Sequence, residues 1–96
     1  MSLINTIRVV QARSFVKTVK KLKANQKKDL DKAIAHLLES PLIGEQKKGD
    51  LSYLRVYKFN MVNQLTMLGY SFDDGELILH LIALGSHENF YRDLKR

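Results

Sequence analysis

The chain has 96 residues, of which 45% are hydrophobic, and a formal net charge of +6. This length suffices for one small domain, so any binding site is expected on an open face rather than in a deep interior. The lack of cysteine excludes disulfides, thiolate metal sites and a cysteine nucleophile. Charges interrupt every apolar run, and the first residues show no signal-peptide pattern. We therefore expect one soluble, cytoplasmic domain over residues 1–96.

The positive charge is concentrated in the first half of the chain. Residues 1–50 contain 11 Lys or Arg against 5 Asp or Glu, whereas residues 51–96 contain 5 of each. Most of the excess lies in the segment KTVKKLKANQKK. A basic block of this kind indicates a nucleic-acid partner or an acidic protein partner. It is equally typical of a solvated helix face.

The first half of the chain predicts one strand and two helices. The segment TIRVVQA is rich in β-branched residues, as strands are. Ser14 is the predicted N-cap of a first helix, FVKTVKKL, and Asn25 that of a second, QKKDLDKAIAHLLES. Apolar residues recur at helical spacing in both segments. Pro41 ends the second helix, and the short KAN connection makes the pair an antiparallel hairpin.

The second half predicts three antiparallel strands after a polar loop, PLIGEQKKGD. In LSYLRVYKF the alternation places Leu54 and Val56 on one face and Arg55 and Tyr57 on the other. The segments QLTMLGYSF and ELILHLIAL are two further strands, separated by the turn signal DDG. The last strand is apolar on both faces, so we expect it inside the sheet, and SHENFYRDLKR is expected to form a short helix.

Together these elements predict an α+β fold. An N-terminal strand and an α-helical hairpin pack on a small, mainly antiparallel sheet in the order β-α-α-β-β-β, with a short C-terminal helix. This order resembles the RelE/ParE superfamily of toxins from bacterial type II toxin–antitoxin modules. The segments that carry the resemblance are LLESP, KKGDL, YLRVYKF and LGSHENFY, in that order over nearly the whole chain. One branch of the superfamily cuts messenger RNA in the ribosomal A site, and another poisons DNA gyrase without cutting nucleic acid.

RNA cleavage by a ribose 2′-hydroxyl requires a proton acceptor, a proton donor and positive charge beside the phosphorane. The resemblance points to His87, just after the glycine of the last strand, as an acid–base or phosphate-contacting residue, and imidazole changes charge near neutral pH. His87 could otherwise cap the final helix or lie in solvent. Tyr91 would stand beside His87 on a helix and stack on a base, or it could pack with Phe90 on the sheet.

Arg55 matches the charge found at its position in similar cleaving toxins, whereas Tyr57 does not. Lys58 could replace Tyr57 if the strand is bulged. The predicted catalytic residues are thus His87, Tyr91 and Arg55, and the predicted RNA- or phosphate-binding residues are Lys47, Lys48, Tyr57, Lys58 and Arg92. No histidines and carboxylates have metal-ligand spacing, so neither a bound metal nor a cofactor is expected.

The sequence therefore favours a ribosome-dependent mRNA endonuclease that inhibits translation by metal-independent 2′-hydroxyl attack and so arrests growth. Gln64 lies near the place of an arginine in cleaving relatives, which leaves open a ParE-type gyrase inhibitor without nuclease activity. A partner-binding module that has lost toxicity is a third alternative. In each case the expected partner is a cognate antitoxin, whose acidic, partly disordered segment folds across the apolar sheet edge and the basic helices.

Overall fold

The protein is described by a computed structural model over residues 6–94, apart from the side chain of Asp93. In chain order its elements are β1 (Arg8–Gln11), α1 (Arg13–Lys20), α2 (Ala24–Glu39), β2 (Glu45–Gln46), β3 (Arg55–Met61), β4 (Gln64–Asp73), β5 (Ile78–Ser86) and α3 (Phe90–Leu94). The predicted α+β class and order of elements are confirmed. The sequence did not predict β2, a two-residue strand in the polar loop. No helix within residues 6–94 is long and apolar enough to cross a membrane.

The strands form one sheet in the order β1-β5-β4-β3-β2. Only β1 and β5 run parallel, and the other neighbours in the sheet are antiparallel. The parallel pairing requires the chain to cross the sheet between these strands, and α1 and α2 begin that crossover. The sheet is therefore mainly antiparallel, and β5 lies inside it, as predicted.

Two helices cover one face of the sheet because each carries an apolar stripe. Phe15 of α1 and Leu30 and Leu37 of α2 are buried. They belong to the same core as Leu68 and Leu79 of the sheet. Complete burial of one such side chain stabilises the fold by about 1.5–3 kcal/mol. This core holds the helices in place and leaves their polar sides in solvent.

The predicted N-caps are wrong by two residues in both helices. Ala12 and Lys23 occupy the N-cap positions. Ser14 instead donates its hydroxyl proton to Ile82 O at 3.2 Å, which ties α1 to β5. At the start of α2, the Gln26 side chain accepts a hydrogen bond from Lys23 N at 2.8 Å. This reverse half of a capping box fixes the helix start without an Asn cap. The second helix ends at Glu39, before the proline, as predicted.

A strained turn joins β3 and β4. Val62 and Asn63 have φ values of 51° and 66°, in the left-handed region that a tight hairpin turn requires. Asn adopts this region readily, whereas a β-branched residue such as Val62 adopts it only with backbone strain. Val62 N donates a hydrogen bond to Asp29 Oδ2 at 2.8 Å. The helix α2 therefore anchors the turn that the valine strains.

Candidate nucleic-acid site on the α3 face

One aromatic side chain fixes α3 to the sheet. Phe90 is 2% exposed and packs with Leu54, Val56 and Met67. Gly69 leaves the space for it, because a Cβ there would lie 2.7 Å from Phe90 Cζ. We call this side of the sheet the α3 face, and the opposite side, covered by α1 and α2, the helix-pair face.

Tyr91 brings a second aromatic ring to the α3 face. Its ring meets that of Phe90 edge to face, with the centroids 5.1 Å apart. Lys47 Nζ lies 5.4 Å from the centroid of the Tyr91 ring and donates a hydrogen bond to Glu45 Oε1. A cation within about 6 Å of a ring centroid is attracted by the ring. The basic loop, residues 45–48, is thus in direct contact with α3.

The electrostatics of this contact keep Lys47 positively charged. The hydrogen bond to Glu45, followed by that to Tyr91, raises the pKa of Lys47 above the ordinary 10.5, against the opposing effect of desolvation. Lys47 in turn lowers the pKa of Glu45, and the charges of Lys58 and Lys48 contribute in the same direction. An amine with a raised pKa cannot accept a proton near neutral pH. Lys47 is therefore available to a substrate as a cation and not as a general base.

Neighbouring residues of β3 lie on opposite faces of the sheet. Lys58 is paired with Met67 of β4, whose side chain is buried on the α3 face. Pairing is continuous along β3, so Lys58 reaches this face by ordinary alternation and not through the bulge suggested from the sequence. Arg55 and Tyr57 lie on the helix-pair face. Arg55, predicted as a catalytic residue, therefore lies on the face of the sheet opposite to Lys58 and Tyr91.

Arg55 is bonded to the protein itself. Its Nη1 donates to Leu42 O at 3.0 Å and to Gly44 O at 2.8 Å. The hydroxyl of Tyr70, a residue with 0% exposure, donates to Pro41 O at 2.7 Å and accepts from Gly44 N at 2.9 Å. These four bonds fix the segment that leads into the basic loop.

Tyr57 belongs to the contact between β3 and α2. Its hydroxyl lies 2.8 Å from Nδ1 of His36, and its ring stacks on that of Phe59 with the centroids 6.1 Å apart. The same strand face carries both aromatic rings, as alternation requires. The structure thus gives Tyr57 a packing contact on the side of the sheet away from Tyr91.

His87 lies beyond the end of β5, exposed to solvent. Asn89 N donates to Ser86 O at 3.1 Å, which closes a turn, and α3 begins only at Phe90. The expectation that His87 and Tyr91 are neighbours on one helix is wrong, because the histidine precedes that helix. His87 instead lines an open surface pocket together with Gln64 and Leu65.

Strand pairing relates the position of Lys58 to the end of β5, from which the turn with His87 follows. Gly85, Met67 and Lys58 form a row across β5, β4 and β3. Neighbouring strands are about 4.8 Å apart, so the backbones of Gly85 and Lys58 are separated by about 10 Å. His87 is two residues beyond Gly85. The site is therefore an elongated strip and not a closed pocket.

The remaining predicted residues lie at the margin of this strip. Lys48, the last residue of the basic loop, is exposed. Arg92 is exposed on α3, and its Nη2 donates to Asn89 Oδ1 at 2.8 Å. Within residues 6–94 no three His, Asp or Glu side chains lie close enough together to hold a metal ion. The strip can offer cations, an aromatic ring and an imidazole to a ligand.

Three residues that shape the site have weak signals in the sequence. Gly69 interrupts an apolar strand, a pattern that marks close approach of another chain segment. Tyr70 stands among apolar neighbours, so its buried hydroxyl is hidden in the hydrophobic pattern. Glu45 is a lone carboxylate just before two lysines, and only the fold shows that it organises them.

Comparison with known protein families decides the class of the protein. A family model described as ParE-like toxin of type II bacterial toxin–antitoxin system matches residues 9–95. The chain belongs to this family. The resemblance to RelE/ParE toxins is thereby confirmed over most of the toxin. No curated protein matches it in sequence.

Solved structures share the fold of the toxin. A mutant of Escherichia coli RelE in the free state is 22% identical, covers 86% of this chain and 85% of its own, and gives a TM-score of 0.68. RelE in the intact E. coli RelBE complex is 22% identical over 83% of this chain and 95% of its own, with a TM-score of 0.67. The archaeal RelE–RelB complex from Pyrococcus horikoshii is 18% identical over 84% of this chain and 94% of that chain, with a TM-score of 0.61. At these identities the similarity concerns the fold.

Proposed function

We propose that this toxin is a ribosome-dependent mRNA endonuclease that inhibits translation and acts in the cytoplasm. The observation that supports this most is the strip on the α3 face, where Lys47, Lys58 and Tyr91 share one side of the sheet and His87 stands at its end. Cations attract the phosphates of a single strand, and an aromatic ring stacks on an unpaired base. The structural similarity to RelE proteins is in keeping with this proposal.

The proposed reaction is attack of a ribose 2′-oxygen on the adjacent phosphorus, which breaks the bond to the 5′-oxygen of the next nucleotide. The products are a 2′,3′-cyclic phosphate and a free 5′-hydroxyl. His87 exchanges the proton, taking it from the 2′-hydroxyl or giving one to the leaving oxygen, and water completes the balance. Lys47 and Lys58 stabilise the negative charge of the phosphorane. Neither a metal nor a cofactor takes part.

The supporting residues have different parts in this proposal. Tyr91 stacks on a base beside the scissile phosphate, and Lys48 and Arg92 attract flanking phosphates. Arg55, expected from the sequence as a catalytic cation, becomes a positioning residue that holds the segment before the basic loop. Tyr57 is left out of the reaction because its hydroxyl is paired with His36 on the helix-pair face.

A gyrase inhibitor without nuclease activity is the second candidate. Two observations favour it: the matching family is described as ParE-like, and the Arg55 guanidinium is occupied by backbone carbonyls. In that case the α3 face serves as a contact surface, and the proton-transfer role of His87 disappears.

One paired experiment separates the two candidates. Purified toxin is incubated with translating ribosomes and mRNA, and separately with gyrase and supercoiled plasmid. We expect mRNA cleavage within ribosomes that His87→Ala abolishes and Tyr91→Ala weakens through loss of the stacking ring, with Tyr53→Ala, at an exposed tyrosine, as the matched control. Accumulation of cleaved plasmid with intact mRNA would establish the gyrase inhibitor instead. Full cleavage by the His87→Ala and Tyr91→Ala double variant would remove the catalytic assignment.

We further propose that a cognate antitoxin binds the toxin through an acidic, partly disordered segment. Solved structures show E. coli RelE with an antitoxin RelB peptide and archaeal RelE with RelB. In this chain Val9 and Val10, both 39% exposed, lie on the edge strand β1 and suit an added strand. Because the toxin is basic, association should slow steeply as salt rises. An association rate that does not change with salt would contradict the acidic segment.

A further inference from the structure

The outer surface of α1 and α2 is strongly basic. Residues 13–32 contain eight Lys or Arg against two Asp, while the rest of the chain contains eight of each sign. This segment therefore accounts for the whole net charge of +6. All eight basic side chains are exposed, and we call them the lysine surface: Arg13, Lys17, Lys20, Lys21, Lys23, Lys27, Lys28 and Lys32.

The lysine surface is not neutralised by the protein. The ion pair found within residues 6–94 joins Lys47 and Glu45, outside this surface. Asp29 is bonded to Val62 N. The first turn of α2 has no acidic residue, and Lys27 lies close to that end, where the helix dipole disfavours cations. Repulsion among these charges lowers the stability of the free chain, and a bound polyanion would relieve it.

The chemistry of the lysine surface distinguishes between anionic partners. Protein interfaces have an apolar, aromatic-rich centre from which Lys is depleted. None of the large hydrophobic residues exposed within residues 6–94 lies on α1 or α2; they are Val9, Val10, Leu42, Ile43, Tyr53, Val62 and Leu65. A phosphate backbone needs no apolar anchor, because counterion release drives its binding to cations. The surface thus fits a nucleic acid better than an acidic peptide.

We propose that the lysine surface is a docking surface for the phosphate backbone of duplex RNA, without recognition of base sequence. Seven of its eight cations are lysines, which act as point charges and lack the planar fork with which Arg reads base edges. Lys28 and Lys32 are four residues apart on one side of α2, about 6 Å apart along the helix axis, so this helix can contact neighbouring phosphates. The part of this surface on α2 lies across the sheet from the α3 face. RNA can therefore be held there while the α3 face stays accessible, as action on a ribosome would require.

The test compares two quadruple variants of the full chain, at Lys17, Lys20, Lys28 and Lys32. One changes all four residues to Gln and the other changes all four to Arg. Their binding to an RNA hairpin of about 20 base pairs is followed by fluorescence anisotropy over a range of salt. We expect the salt slope of the Gln variant to fall by about 1 for each lysine in contact with a phosphate. Its affinity at about 0.1 M salt should fall about 100-fold, and the Arg variant should bind as the wild type does.

Matched probes decide the identity of the partner. Because the proposed contacts are to phosphates, we expect the RNA hairpin to bind at least as tightly as a DNA duplex of the same sequence, and both to bind more tightly than polyglutamate. Tighter binding of DNA overturns the RNA assignment. If the toxin binds polyglutamate through the four lysines and does not bind RNA, the proposal is overturned. The surface is then assigned to an acidic protein partner. An unchanged salt slope in the Gln variant, with its thermal unfolding unchanged, also overturns the proposal.

Binding through the lysine surface is separable from the proposed cleavage. In a His87→Ala background, the four Lys→Gln changes should weaken binding to the RNA hairpin by the same factor as in the wild type. If this binding holds while no variant or wild-type chain cleaves mRNA, the endonuclease proposal fails and the docking surface stands. If mRNA is cleaved while the four lysines make no difference to RNA binding, the docking surface fails and the endonuclease proposal stands.

Discussion

Polar side chains are used differently on the two faces of the sheet. On the helix-pair face, Arg55 and Tyr70 are bonded to backbone groups of the protein itself. On the α3 face, Lys58 is exposed, and the Lys47 ammonium contacts Glu45 and Tyr91. The first arrangement keeps buried polar groups bonded and so maintains the fold. The second leaves cations available to a ligand.

This contrast is sharpest within β3, where successive residues serve different purposes. Tyr57 packs against α2, and Lys58 faces the opposite side one residue later. Because strand side chains alternate with a period of two, one strand can support the core and supply a site at once. In the proposed mechanism, the two faces therefore separate the residues that stabilise the fold from those that bind RNA.

The largest expected effect tests that division directly. Lys58→Gln should lower the rate of mRNA cleavage by about 100-fold, because a cation beside the phosphorane is removed. Tyr57→Phe removes only the hydroxyl bonded to His36 and should leave the rate within about twofold. Single-turnover cleavage on ribosomes measures both. Equal losses in the two variants would mean that the faces are not separated in function.

A change at Gly69 should disturb the α3 face through packing alone. Gly69→Ala places a methyl group 2.7 Å from Phe90 Cζ, and overpacking of this kind costs about 1–3 kcal/mol. We expect a lower free energy of unfolding in urea and weaker cleavage, because α3 and Tyr91 are displaced. The control is Gly75→Ala in the open β4–β5 turn, where the nearest atom is 3.5 Å away. A silent Gly69→Ala would show that α3 is not fixed by this contact.

The helix-pair face should affect the site only through the segment before the basic loop. Tyr70→Phe leaves Pro41 O and Gly44 N without their partner, at a cost of about 1–2 kcal/mol. Burial raises the pKa of Tyr70, so its hydroxyl stays protonated and the cost should be constant near neutral pH. Thermal unfolding and hydrogen exchange of residues 41–48 measure it, with Tyr53→Phe as the control. Faster exchange elsewhere but not in these residues would contradict the positioning role.

The smallest expected effect concerns the pH dependence of the Lys47–Glu45 pair. The raised pKa of Lys47 adds stability below 10.5, lost as pH rises through the folded-state value. The lowered pKa of Glu45 adds stability above 4.5, lost as pH falls through its folded-state value. The Tm difference between wild type and Lys47→Gln should therefore be constant from about pH 6 to 9 and shrink outside that range. A difference that varies within the range would point to another titrating partner.

Much of the fold could be predicted because its patterns are local. The change from helical to alternating periodicity predicted that two helices precede three strands. The alternation around β3 correctly placed Leu54 and Arg55 on opposite faces of the sheet. The N-cap of α1 was wrong because the Ser14 hydroxyl bonds Ile82 O of the sheet. That of α2 was wrong because the Gln26 side chain bonds Lys23 N at the helix start. The strand β2 has two residues, too few to show a period.

The candidate site was predictable in composition and not in arrangement. The basic loop and Tyr91 are visible as charge and aromaticity in the sequence. Arg55 donates hydrogen bonds to Leu42 O and Gly44 O. Because both acceptors are backbone groups, the pattern of side chains in the sequence does not reveal these bonds. The position of His87 before α3 depends on where Phe90 enters the core. Long-range packing therefore decides which of several similar residues remain free.

The strained turn at Val62 has a practical consequence for work on this protein. A β-branched residue at φ 51° stores strain on the order of 1–3 kcal/mol, which Gly or Asn would release. The turn contributes no side chain to either quadruple variant or to the cations of the strip. Replacement of Val62 by Asn should thus yield a more stable protein. Destabilising substitutions elsewhere could then be made in this variant and still be obtained as folded protein for comparison.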